Sequence, residues 1–287
     1  MHSGKFVLFN GNILSWDEPV LMLKNRAFHF GDGIFESIRV TNGFPLFVAT
    51  HFSRITEGLK ALKIELPDKW SESKLETELK LLIDKNDIKQ GARIRLTLYR
   101  SSEGFYLPTS NSLSYLAEII PYDLNNFQLN ENGLLVDIYS DIKKQVNLLS
   151  AFKTLNCQNY ILASIYGKDR NFNDVLMLND KGNIIETTNS NFFIVSNGVL
   201  YTPAVTDGCI GGTMRMHIIN IAIDNKVKVY EASLTPQHLL TADELFLTNA
   251  IKGVQWVSGY RQKRYFHKMS DFLIDKLNIL VSKKIEV

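Results

Sequence analysis

Cysteine is scarce in this sequence, and other absences beside it remove several classes of protein. Only Cys157 and Cys209 occur in 287 residues, and neither stands in a CxxC or Cys/His spacing. A disulfide framework and a structural zinc site are therefore not expected, and a reducing cytoplasm is the expected compartment. No run approaches the ~18 consecutive apolar residues that a membrane-spanning helix requires. The opening residues, MHSGKFVLFNGNILSW, carry no long apolar stretch behind a basic flank, so no signal peptide is expected. Neither sign of charge dominates: 32 Lys and Arg face 30 Asp and Glu, for a formal net charge of +2. General attraction to nucleic acid or to an anionic membrane is excluded, and a site for an anionic ligand has to be local. Internal repeats and low-complexity tracts are absent as well.

What is present is a balanced globular chain, 45% hydrophobic and 22% charged. Apolar spacing predicts strands at 5–9 and 34–40, a helix from His51 with Phe52, Ile55, Leu59 and Leu62 on one face, and a helix over 72–85. RIRLTLYR and SLSYLAEII read as further strands. The polar, turn-forming stretch PYDLNNFQLNEN, residues 121–132, reads as a linker. Beyond it the sequence is rich in strands, with DKG and SNG as hairpin turns between apolar runs. Helices are expected after Lys153 and after Gly212, and ELFLTNA reads as a strand. The expectation is an α+β or α/β chain of two domains with a cleft between them. A small N-terminal α/β domain would cover 1–120, and a larger, β-rich α/β C-terminal domain 133–287.

Several segments carry chemistry-bearing residues. A lysine is ordinarily a solvated surface residue, but Lys153 sits in LLSAFKTLNCQNYILA, where Leu148, Leu149, Ala151, Phe152 and Leu155 argue for burial. A lone buried lysine is costly unless neutralised or functional. Glu186 ends an apolar strand in DKGNIIETTNSNFFIV; by itself it would be an ordinary strand-end carboxylate. CIGGTMRMHII places Gly212 and Thr213 ahead of a helical pattern, a way to bring backbone N–H groups and a hydroxyl to a phosphate, though a plain helix start reads the same. Arg54 could serve the same anion or be an exposed helix arginine. Thr248, Asn249 and Ala250 end a strand with hydroxyl and amide groups.

Taken in order, NRAFHFGDGIFESIRV, HFSRI, FKTLN, IIETTNSNFFIV, IGGT and ELFLTNAIKGVQWV resemble the class IV (fold type IV) pyridoxal-5′-phosphate (PLP) enzymes. That group includes branched-chain aminotransferases, D-amino-acid aminotransferases and 4-amino-4-deoxychorismate lyases. The resemblance implies PLP held as a Schiff base on Lys153, which would also move the proton between Cα and C4′. It implies Glu186 opposite the pyridine nitrogen, and a phosphate cup from Arg54, Gly212, Thr213 and the Thr248–Ala250 turn. It implies a homodimer, with the FHFGDGIFESIRV strand on the substrate side; Phe30 and Phe35 could equally be plain core. Phe35, Ser37, Arg39 and Arg95 are the substrate-side candidates, the two arginines as carboxylate partners. Expected ligands are an amino acid and a 2-oxo acid, with no nucleic acid, membrane or metal involved.

The reaction is less determined. Asn156 and the Asn249–Ala250 pair are similar to the lyases, as is a hydroxyl residue at Ser37. The loop RSSEGFYLP lacks the carboxylate-gripping arginine that lyases and D-amino-acid enzymes carry there, whereas Arg39 and Arg95 are similar to branched-chain enzymes. Transamination of an L-amino acid, branched-chain or aromatic, is the first expectation. The second is elimination of pyruvate from 4-amino-4-deoxychorismate to give p-aminobenzoate. A third, a PLP-fold protein that has lost catalysis, is opposed by the retention of Lys153, Glu186, Arg54 and Thr213.

Overall fold

The computed structural model describes residues 4–18, 24–122 and 125–285. The chain divides into two compact units, 1–126 with 152–156, and 127–151 with 157–287. The first break falls inside the stretch read as a linker, of which residues 123 and 124 lie outside the described residues. The short segment carrying Lys153 groups with the first unit, an excursion that a contiguous division of the sequence has no means to represent.

The first unit is a six-stranded sheet backed by helices. Its elements are β1 (Phe6–Phe9), β2 (Asn12–Ser15), α1 (Arg26–Phe30), β3 (Gly33–Thr41), β4 (Phe44–Pro45), α2 (Val48–Ala61), α3 (Glu72–Lys85), β5 (Gly91–Arg100) and β6 (Leu113–Tyr122). The strands run β2-β1-β6-β5-β3-β4, every neighbour antiparallel. Asn10-Gly11 and Asn42-Gly43 make the tight turns, with φ of 48° and 84°, and 50° and 75°. Both residues at positive φ is the type I′ pattern that matches strand twist, and Asn followed by Gly adopts it at least cost. Helix α3 starts where Ser71 accepts from Lys74 N at 3.3 Å, a side-chain N-cap. It buries Leu75, Leu79, Leu82 and Ile83, the i, i+4, i+7, i+8 stripe of a core-facing helix. With Ile55 and Leu59 of α2 these residues cover Leu8, Ile38, Ile94, Leu96 and Ile119 of the sheet, all fully buried or nearly so.

The second unit holds a nine-stranded mixed sheet: β7 (Leu134–Lys144), β8 (Asp174–Asn179), β9 (Ile184–Thr187), β10 (Asn191–Ser196), β11 (Val199–Thr202), β12 (Val229–Glu231), β13 (Glu244–Asn249), β14 (Gly253–Tyr260) and β15 (Lys263–Arg264). The order is β12-β11-β10-β13-β14-β7-β8-β9, with β15 pairing off β14. The DKG and SNG turns join β8 to β9 and β10 to β11 as antiparallel hairpins. Parallel pairs need crossovers. Helix α4 (Gln158–Asp169) carries β7 to β8, and α5 (Thr213–Asp224) lies between β11 and β12. The short helix α6 (Pro236–Thr241) and the long α7 (Lys268–Ile285) complete the unit. Helix α7 went unassigned in the sequence, although Leu273, Ile274, Leu277 and Val281 are buried at helical spacing. Strands β8, β9 and β13 are buried almost throughout, and so read as continuous apolar runs rather than alternating ones.

Candidate active site

In the first unit, Lys153 is positioned by backbone pairing rather than by an apolar cradle. Phe35 N donates to Lys153 O at 2.8 Å, and Leu155 N donates to Gly33 O at 3.0 Å, so residues 153–155 extend the sheet along β3. The lysine is partly buried, and Leu148, taken as a sign of burial, is 73% exposed. Strand alternation sorts the neighbours. Ile34, Glu36, Ile38 and Val40 face α2 and the core, while Phe35, Ser37 and Arg39 share the other face. On that face the Lys153 Nζ lies 4.5 Å from the Phe35 ring centre, and the Arg95 guanidinium lies 4.0 Å from the same ring. Two cations on one aromatic ring make a locally positive surface beside an apolar one. Ser37 accepts from Arg93 Nη2 at 3.5 Å, diagonally across the ladder; its register partner is Arg95. Arg39 is 2% exposed; it donates to Asn126 O at 2.9 Å and to Thr41 Oγ1 at 3.4 Å, and lies over the Tyr122 ring. Its guanidinium is thus anchored near Tyr122 and Asn126.

Arg54 is not an exposed helix arginine. Its Nε and Nη2 donate to the two oxygens of Glu36 at 2.7 and 2.6 Å, and His51 Nδ1 is 2.8 Å from Glu36 Oε2. This fork is the strong bidentate geometry of an arginine–carboxylate pair. Burial alone would push the Glu36 carboxyl up; Arg54 and then His51 outweigh it and hold it at about 2. The arginine is thus locked in orientation by a fixed carboxylate. Glu36 and His51 were missed in the sequence, because a glutamate within an apolar strand gives no sign of its partner 18 residues away.

The second unit brings Glu186 to the end of β9, 2% exposed, in a shell of donors. Lys144 Nζ and Tyr160 Oη donate to Oε1 at 2.7 and 2.8 Å, and Ile210 N donates to Oε2 at 2.7 Å. Burial, with the nearby Glu186 charge, pushes the Tyr160 phenol far above its usual range, so it stays a donor. The same two causes, in the same order, push the buried Cys209 thiol up to about 12. Glu186 therefore sits in a fixed, charge-compensated setting.

Glycine and hydroxyl groups gather beside it. Asn191 Nδ2 donates to Ile210 O at 2.7 Å, fixing the loop that enters α5. A Cβ on Gly212 would stand 1.9 Å from Asn191 Oδ1, so only glycine fits there. Helix α5 has no side-chain N-cap, which leaves first-turn N–H groups to be satisfied by something else. On the paired strands Asn191 faces Thr248, whose buried Oγ1 has no hydrogen-bond partner. Asn249 closes the following turn, accepting from Ile251 N and Lys252 N at 3.0 and 2.8 Å and donating to Ser190 Oγ at 2.9 Å; Ala250 follows it. An uncapped helix start, a glycine-only approach and an orphaned hydroxyl together fit an anionic group such as a phosphate.

A PLP-type cofactor suits these residues: an amine in Lys153, a buried carboxylate with one lone-pair direction to spare, and anion donors at α5. These are the groups that a pyridoxal-phosphate enzyme of mixed α/β build requires, carried by Lys153 in the first unit and by Glu186 and the α5 start in the second. The model of the amino-transferase class IV family matches residues 33–260, and the chain belongs to that family. A Methanocaldococcus jannaschii protein, provisionally named a branched-chain-amino-acid aminotransferase, is 30% identical over 243 residues, 84% of this chain and 83% of that one. An aminodeoxychorismate lyase of Bacillus subtilis is 28% identical over 248 residues, covering 85% and 83%. The solved branched-chain aminotransferase of Thermoproteus uzoniensis superposes with a TM-score of 0.87 at 22% identity, covering 96% of this chain and 93% of its own; it shares the fold. Among the described residues no helix is long and apolar enough to cross a membrane, and no cluster of His, Cys, Asp and Glu could hold a metal ion.

Proposed function

We propose that this enzyme transfers an amino group from an L-amino acid with an apolar side chain to a 2-oxo acid, with Lys153 as the amine that holds PLP. The observation that carries the reading is the Phe35 ring with both the Lys153 amine and the Arg95 guanidinium close to it, 4.5 and 4.0 Å from the ring centre. A substrate carboxylate is drawn to the Arg95 guanidinium, and an apolar side chain to the ring. Bound PLP supplies an electron sink that makes the substrate Cα–H acidic. The Lys153 amine would take that proton and return it one position away. Glu186, oriented by its three donors, would face the ring nitrogen and stabilise its protonated form. Arg54, the α5 start with Gly212 and Thr213, and the Thr248–Ala250 turn would hold the phosphate, with Glu36 keeping Arg54 in place. A homodimer belongs to this reading, and the exposed Phe28, Phe105, Tyr106 and Leu107 supply apolar surface for it.

One observation favours a second reading. Asn249 closes the β13 turn through its own amide, and its Asn-Ala pair resembles the lyases, as does 28% identity to the Bacillus subtilis lyase. The lyase reaction needs no amino acceptor, which separates the two. Purified enzyme loaded with PLP is treated with L- and D-amino acids, and the visible band of lysine-bound cofactor is followed. Loss of that band with an L-amino acid and its return with a 2-oxo acid supports transamination. A band that no amino acid moves, with p-aminobenzoate formed from aminodeoxychorismate, supports the lyase. A Lys153→Ala variant that keeps the band refutes both.

A further inference from the structure

Lys144 ends strand β7, and its side chain is 13% exposed while that of Glu186 is 3% exposed. A lysine drawn so far out of water must be matched. Its Nζ gives one hydrogen bond to Glu186 Oε1 at 2.7 Å and another to Ser150 O at 2.9 Å, and it stands 5.5 Å from the Tyr160 ring centre. The Ser150 hydroxyl in turn donates to Gln145 O and accepts from Asn147 N, both at 2.9 Å, so the loop that receives Lys144 is itself tied. The amine is thus committed to the acid and to the loop, and is not a second candidate for holding the cofactor.

A carboxylate has about four lone-pair directions, two per oxygen. On Glu186, Lys144 and Tyr160 occupy Oε1, and Ile210 N occupies one direction of Oε2. One direction on Oε2 is left. We propose that Lys144 is a positioning residue that turns Glu186 so this remaining lone pair meets the ring nitrogen of PLP, its ammonium compensating the charge of the buried carboxylate. The proposal rests on the reading of Glu186 as the acid opposite that nitrogen. Two effects oppose each other here: the ammonium holds the acid in place, yet it also draws off part of the negative charge that a ring N–H would otherwise feel. Lys144 would therefore set how firmly the ring proton is held, as well as whether an acceptor is there at all. Tyr160, a neutral phenol, orients the acid but cannot supply this charge.

The test compares Lys144→Met, Lys144→Arg, Glu186→Gln and the double variant Lys144→Met/Glu186→Gln. Unfolding of the cofactor-free proteins is measured first, as a double-mutant cycle that does not involve PLP. The expected result is that Lys144→Met lowers the midpoint more in the parent background than in the Glu186→Gln background. The PLP dissociation constant and the pH titration of the visible cofactor band are then measured. For Lys144→Met the dissociation constant rises by roughly 10- to 100-fold, the scale for losing a group that orients a ligand contact. The band's titration midpoint moves up by on the order of one pH unit, because a ring nitrogen without its proton withdraws less from the imine. Lys144→Arg restores both. If the cycle shows coupling but the PLP constant and titration stay unchanged, Lys144 is a structural partner only and the proposal is overturned. Absence of coupling overturns it as well. If the parent protein never binds PLP at a lysine, the underlying cofactor reading has failed instead, and the cycle still reports whether the pair exists.

Discussion

The Glu36 fork makes a quantitative prediction, since the carboxylate is buried and its partners are fixed. Replacing Glu36 by Gln keeps the shape but leaves Arg54 facing a neutral amide. A depression from the ordinary value of 4.5 to about 2 corresponds to about 3 kcal/mol of folding stability at neutral pH, at 1.36 kcal/mol per unit. Breaking a buried ion pair by removing one partner costs about 3–5 kcal/mol, in agreement. The sign follows from the folded-state value lying below the unfolded one. This stability is fully present above pH 4.5 and is lost as the pH falls toward 2; about 2 kcal/mol of it is gone by about pH 3. Denaturant unfolding of parent and Glu36→Gln at about pH 7 and about pH 3 measures both quantities. The variant should be less stable at neutral pH, and the gap should narrow by about 2 kcal/mol at the acid one. A gap that stays constant between the two pH values would refute the assignment of a paired, ionised Glu36. Starting from the cofactor-free protein, the variant should also bind PLP more weakly, since Arg54 loses its orientation.

Two further outcomes follow from close contacts. Gly212→Ala sets a methyl group 1.9 Å from Asn191 Oδ1, so the α5 entry must shift; PLP affinity measured by equilibrium dialysis should fall by about tenfold or more, on the scale of losing about 1.4 kcal/mol of binding. Arg95→Gln should raise KM for the amino acid by about 10- to 100-fold, the loss of one charge-assisted pair at about 1.5–3 kcal/mol, while leaving the visible band of the cofactor intact.

Much of this was legible in the chain, for identifiable reasons. Helix α3 shows plainly because Ser71 caps it and Leu75, Leu79 and Leu82 repeat at helical spacing. The hairpins at Asn197-Gly198 and at Gly182 show because positive φ demands such residues. Lys153, Glu186 and Gly212 stood out only together and in order, as a resemblance, since each alone has an ordinary explanation. Arg39 and Arg95 look alike in sequence; only the structure shows that one lies over Tyr122 and the other over the Phe35 ring. Lys144 and Glu36 were illegible, because their meaning lies in contacts 42 and 18 residues away.

The placement of Lys153 itself can be tested through a residue that never touches substrate chemistry. Gly33 starts β3, and its carbonyl receives Leu155 N at 3.0 Å, which anchors the Lys153 segment. Its φ is unremarkable, so the need for glycine is one of space. A Cβ there would lie 2.3 Å from Leu98 O and 3.0 Å from Leu155 Cδ1. The carbonyl belongs to the neighbouring strand β5 and cannot retreat without breaking the ladder, so the start of β3 has to shift, and the paired Lys153 segment with it. Overpacking of this kind costs about 1–3 kcal/mol. Gly33→Ala should therefore lower stability by that amount and displace Lys153. A displaced amine reacts more slowly with the cofactor, so the rate at which the visible band forms on adding PLP should fall well beyond the change in unfolding midpoint. If Gly33→Ala loses stability yet forms the band at the parent rate, pairing along β3 does not position Lys153, and its orientation must come from its own side-chain contact with Phe35.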